Sequence, residues 1–146
     1  MDMQAVRCFW PHLFLLFCLT GLTGCGGVST YPVTGTLEFK DGDPVKFGTI
    51  EFFNRESKLN ARGEISRDGS FSMQTFKEND GAIAGVHAVT IQQFTTLPLT
   101  ANQNVKIKHD HGKLVADKYK SYATSDLIVT VEKQDNSFKL IVDSKD

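Results

Sequence analysis

Short runs of apolar–polar alternation, broken by turns bearing glycine and aspartate, fill this chain from residue 31 onward. In PVTGTLEFK, Val33, Gly35, Leu37 and Phe39 fall on one face and Thr34, Thr36 and Glu38 on the other. A period of two is the side-chain period of an extended strand. KDGDP (40–44) then reads as a turn. In VKFGTIEFFN (45–54), Gly48, Ile50 and Phe52 share a face while Phe47 and Phe53 lie opposite, so partial cover is expected on both faces. After the polar connection RESKLN (55–60), ARGEIS (61–66) and SFSMQT (70–75) flank Arg67-Asp68-Gly69, a hairpin signal that points Ile65, Phe71 and Met73 inward. KENDGA (77–82) is a loop. GVHAVTIQQF (85–94) is a further strand with His87, Val89 and Ile91 on one face. The alternation returns in DLIVTVEK through Leu127, Val129 and Val131, and in FKLIVD through Phe138, Leu140 and Val142. About seven short strands with no long amphipathic helix predict an all-β fold, a seven-stranded antiparallel β-sandwich. Residues 95–124 alternate poorly. Within them NVKIKHDHG is expected as an edge strand with exposed lysines, and VADKYKSYATS as a turn of helix.

The N-terminal stretch follows different rules. Arg7 is the basic residue of MDMQAVRC, and FWPHLFLLFCLTGL (9–22) is mostly apolar. A membrane-spanning helix needs roughly 20 such residues, whereas the apolar core of a secretory signal needs about 7–15. The run has no polar face and no helix-start signal, which argues against a buried N-terminal helix. It ends on Leu22-Thr23-Gly24-Cys25, which resembles the lipobox of bacterial lipoproteins: an aliphatic residue, two small ones, then cysteine. That resemblance implies cleavage before Cys25 and acylation of its thiol and new amino group with diacylglyceryl and palmitate-type chains. Each buried methylene adds about 0.8 kcal/mol, so several acyl chains hold a protein at a bilayer where one would not. The expected organisation is a signal peptide at 1–24, a tether at 25–30 (GGVST after the cysteine) and a β-domain at 31–146.

Cysteine usage agrees. Cys8 and Cys18 lie in the leader, so the mature chain keeps Cys25 alone, as a thioether, with no disulfide. The domain must therefore be held by its core, and a chain of this length buries about two-thirds of its unfolded surface. A net charge of −1 supplies no field that would recruit nucleic acid.

VTGTLEFKDGDPVKFGTIEFF resembles the opening of transthyretin-like, carboxypeptidase-regulatory-like domains through Val33, Gly35, Leu37, Asp41-Gly42, Pro44, Gly48 and Phe52. GEISRDGSFSM is similar to their Asp-Gly-x-Phe hairpin. AGVHAVTI is similar to their Gly-x-Tyr-x-Val-x-Val strand, with His87 where an aromatic is usual. ADKYKSYATSDLIVTVEKQDNSFKLIV resembles the tail of small bacterial lipoproteins of this type. The resemblance implies a prealbumin-like sandwich and no particular activity. Transthyretin-like hydrolases of hydroxyisourate use histidine and arginine residues and a Tyr-Arg-Gly-Ser terminus. This chain reads IVDSKD there, so that catalytic set is not carried over.

Few side chains suggest chemistry. His109 and His111 would project to one face of a strand and so form a two-imidazole metal candidate without a third ligand, against a solvated turn before Gly112. His87 shares the parity of Val89 and Ile91 and reads as a strand residue rather than a base or ligand. Asp41 and Asp43 match no full calcium loop and read as turn residues. Tyr31, Tyr119 and Tyr122 offer a small aromatic surface for a glycan, or pack over a sheet edge. No nucleophile motif or phosphate-cradling loop occurs. The expectation is a non-enzymatic, cofactor-free binding or structural module of the cell envelope, anchored through Cys25, with an envelope protein or glycan as partner. Residues 95–124 are expected to form its presentation surface. The alternatives are a metal-binding module at His109 and His111, or a transthyretin-like hydrolase dependent on His87. Gly26, which is not the aspartate that retains some lipoproteins at the inner membrane, tilts the location towards the outer membrane over the outward face of the cytoplasmic membrane.

Overall fold

The computed structural model describes residues 27–94 and 112–145. They form nine strands and one 3₁₀ turn: β1 (Thr30–Tyr31), β2 (Val33–Phe39), β3 (Gly48–Asn54), β4 (Leu59–Ile65), β5 (Ser70–Gln74), β6 (Ala82–Ile83), β7 (Gly85–Gln93), the 3₁₀ turn Asp117–Lys120, β8 (Ile128–Val131) and β9 (Asn136–Val142). The all-β expectation holds. β1 and β6 pair as a small sheet, and the other strands form one seven-stranded sheet in the order β8-β7-β3-β4-β5-β2-β9, nearly closed into a barrel. Pairing is antiparallel with one departure from the expected pattern, because β2 and β9 run parallel from Val33↔Asn136 to Phe39↔Val142. Parallel neighbours need a long connection, and here the whole intervening domain supplies it.

Alternation chose the faces. Val33, Leu37 and Phe39 of β2, Ile50 and Phe52 of β3, Phe71 and Met73 of β5, and Val89 and Ile91 of β7 are all buried. The Phe52 ring lies 6.2 Å from Phe71 and 6.0 Å from Phe138, both edge-on. β3 borders neither β5 nor β9, so these contacts exist because the sheet curls back over itself. Gly35 lets it close: a Cβ there would stand 2.4 Å from the Phe138 carbonyl and 2.5 Å from the Phe71 ring.

Two ends follow from strand direction. β2 rises from Val33, and the Asn136 N–H donates to the Pro32 carbonyl at 2.9 Å. The β3–β4 turn, the loop 75–81 and the turn 132–135 cluster at this end, where the chain enters the sheet from β1. The turn 40–44, the hairpin 66–69 and the segment 112–116 lie at the far end. Pairing already begins at Thr30, opposite Ile83, so the stretch read as tether is ordered at its last residue.

Of the residues 95–124 expected as a presentation surface, 95–111 lie outside the described residues, and 112–124 are built into the fold. Val115 (5% exposed) and Tyr119 (3%) belong to the core, and Val115 bridges Ser144. The expected turn of helix is Asp117–Lys120. Tyr122 packs its ring 5.2 Å from Phe53 and donates to Glu51 at 3.0 Å, which covers the outer face of β3.

Candidate functional site

The lipidation motif Leu22, Thr23, Gly24 and Cys25, and the metal candidates His109 and His111, lie outside the described residues. Among the described residues no cluster of three or more histidine, cysteine or acidic side chains could hold a metal ion, and no helix is long and apolar enough to cross a membrane.

His87 sits in β7, opposite Val129 of β8 and Asn54 of β3. It is 1% exposed. Its Nδ1 lies 3.0 Å from the Gly85 carbonyl, which accepts only, so Nδ1 carries the proton of a neutral ring. Its ring is 6.1 Å from Phe52. Burial pushes its pKa down and outweighs the opposing effect of the Gly85 carbonyl. An imidazole sealed this way has no route to a substrate.

Asp41 and Asp43 do converge, but on an ammonium group. Lys113 Nζ bonds to the Asp41 carboxylate and lies 2.8 Å from Asp43 Oδ2. An internal lysine thus stands where a cation would have to bind. The tyrosines form no platform either: Tyr119 is core, Tyr122 lies against β3, and Tyr31 is half-buried in β1.

At the far end a depression of about 490 Å³ is lined by Phe39, Lys40, Lys118 and Asp143. Lys118 Nζ reaches Asp126 Oδ2 at 2.8 Å and Asp143 Oδ2 at 2.9 Å and stands 4.7 Å above the Tyr119 ring. Lys40 pairs with the other Asp143 oxygen, and the Tyr119 hydroxyl donates to Oδ2 at 3.2 Å. The hydrogen bonds from Lys40 and then Lys118 hold the Asp143 carboxyl well below the usual range, and Asp126 and Asp143 push Lys118 up. Beside it, the hydrogen bonds from Lys120 and Lys145 hold Asp117 at about 2. Carboxylates this acidic are weak bases near neutral pH. The cluster can hold the fold's last residues against the 3₁₀ turn and can meet polar ligands; it has no poised acid or nucleophile.

A larger groove of about 750 Å³ runs along the β4–β5 seam, lined among others by Arg62, Glu64, Ser70, Ser72, Gln74 and Asn79. β4 and β5 pair at Arg62↔Gln74 and Gly63↔Met73. Hydroxyls, amides and both charge signs face this groove, a set suited to binding a polar chain. No sequence signal marked it, because its polar residues sit at ordinary outward strand positions and in the loop 75–81. Its rim continues into the loop 75–81. There the Asp80 carboxylate accepts from the N–H groups of Thr75, Phe76 and Lys77 at 2.7, 3.0 and 3.2 Å. Burial would raise the Asp80 pKa, and these three amides outweigh it and lower it. Phe76, the second residue of this loop, is 59% exposed.

Compared with protein-family models, characterised proteins and solved structures, the chain matches none.

Proposed function

We propose that this chain is a bacterial lipoprotein of the cell envelope, a non-enzymatic binding module held by acyl chains on Cys25. One observation carries the reading: an apolar run, the motif Leu22-Thr23-Gly24-Cys25 and a paired strand from Thr30 follow one another without interruption. A leader, a cleavage site and a folded cargo need that order. The domain is a transthyretin-like, carboxypeptidase-regulatory-like sandwich. In support, β8-β7-β3-β4 and β5-β2-β9 make two halves that meet across the short β4–β5 seam, and Phe52 of the first half packs on Phe71 and Phe138 of the second.

A binding role, rather than turnover, is supported by the sealed His87 and by carboxylates tied into ion pairs. The β4–β5 groove is the surface for an envelope protein or glycan. The module lies on the outer membrane or on the outward face of the cytoplasmic membrane.

Intact mass of the detergent-extracted protein, beside a Cys25→Ser variant, tests the anchor. The expected mass is residues 25–146 plus a diacylglyceryl and an acyl group, absent in the variant. Retention of residues 1–24, or a mature chain without lipid, sinks the reading.

A further inference from the structure

We infer that the tether end of the domain lies against the lipid surface itself, with Phe76 as the contact that orients the molecule. This rests on Cys25 being the lipidated residue. Thr30 is five residues from Cys25, a span of at most about 18 Å when fully extended. Thr30 and Tyr31 are in turn pinned to Ile83 and Ala82. The acyl chains therefore enter the bilayer close beneath one end of the sheet.

The loop 75–81 belongs to that end. It runs straight into β6, and its Gly81 backs so closely on the Tyr31 carbonyl that a Cβ would lie 1.7 Å from it. Phe76 is not exposed because its loop is loose. Three amides bond to Asp80, Thr75 Oγ1 donates to the Gly81 carbonyl at 2.7 Å, and Asp80 N–H donates to Lys77 at 3.2 Å. A fixed backbone thus holds an aromatic ring outward. Val28 in the tether (58% exposed) and Val86 at the start of β7 (59%) add apolar surface at the same end.

The occupant this end fits is a bilayer interface, where aromatic rings settle at headgroup depth. The exposed residues of 55–58, 77–78 and 132–135 carry as many cationic as anionic side chains, so headgroup charge is not what draws this end down. The acyl chains supply the affinity; Phe76 sets which side of the domain faces outward. The far-end depression then points away from the membrane, and the β4–β5 groove stands upright from it.

Trp10, the chain's single tryptophan, lies in the leader, so a mature variant with one introduced tryptophan is a clean reporter. Phe76→Trp and, at the far-end hairpin, Arg67→Trp are each reconstituted as lipidated protein in phosphatidylethanolamine–phosphatidylglycerol vesicles carrying doxyl-labelled acyl chains. Emission of Phe76→Trp should shift to the blue and be quenched at least about twofold more than that of Arg67→Trp. Equal quenching, with the lipid on Cys25 verified by mass in the same sample, overturns this inference and leaves the anchor standing. A mass without lipid overturns both. In the unsubstituted protein, vesicles should slow amide exchange over 75–81 and not over 66–69; the reverse pattern also overturns it.

Discussion

His87 shows what one buried ring does to the pH response of the whole domain. Its ordinary pKa of 6.5 is pushed down in the fold by burial. Below pH 6.5 the unfolded chain takes up a proton that the folded chain refuses, so the stability held above pH 6.5 is lost as the pH falls towards the depressed folded value. The slope is at most about 1.4 kcal/mol per pH unit. Urea midpoints measured between pH 7.5 and 5 should therefore fall on acidification. In His87→Leu that part of the slope should disappear, whatever the variant's absolute stability. A slope unchanged in the variant would assign it to another group. The parity of His87 with Val89 and Ile91 was legible in the sequence; its neutral state was not, since that depends on burial beside Phe52, which outweighs the opposing effect of the Gly85 carbonyl.

At the level of elements, the sequence marked the long strands well and the short ones poorly. Seven-residue alternation in β2 is a strong signal because Val33, Leu37 and Phe39, all of one parity, are buried. β1 and β6 have two residues each, too few to show a period, and they exist because Gly81 takes a left-handed backbone (φ 82°) hard against Tyr31. Gly81→Ala should therefore part this small sheet. Amide exchange over residues 30–31 and 82–83 is expected to rise about tenfold or more, while β2, β3 and β7 keep their protection. Uniform loss of protection would mean that the pair is integral to the core. The burial of Val115 and Tyr119 was not legible for a related reason. Val115 and Tyr119 are buried one at a time by neighbours distant in sequence, not by a repeating face.

For the whole molecule, the decisive contacts are those that fold the sheet over itself. Phe52 reaches Phe71 and Phe138 across the interior, so Phe52→Ala should cost about 3–5 kcal/mol. That is a large share of the 5–15 kcal/mol typical of a domain's net stability, and chemical denaturation would read it. A cost below about 1 kcal/mol would deny that ring its place against Phe71 and Phe138. The last strand, β9, pairs with β2 along its length, a pairing of high sequence separation, and loss of β9 would expose that edge of β2.

The sequence by itself determined that this chain is all-β, where its long strands lie, which side chains face inward, and that an apolar run ending on Leu22-Thr23-Gly24-Cys25 precedes them. Those features are local: period, turn chemistry and the length of an apolar run act over a few residues. Only the tertiary structure decided that β2 and β9 run parallel, that Lys113 occupies the Asp41–Asp43 turn, that a polar groove opens at the β4–β5 seam, and that Phe76 shares an end with the short strand β1. Each of these depends on residues far apart in the chain being brought together by closure of the sheet, and no local pattern encodes which distant segments meet.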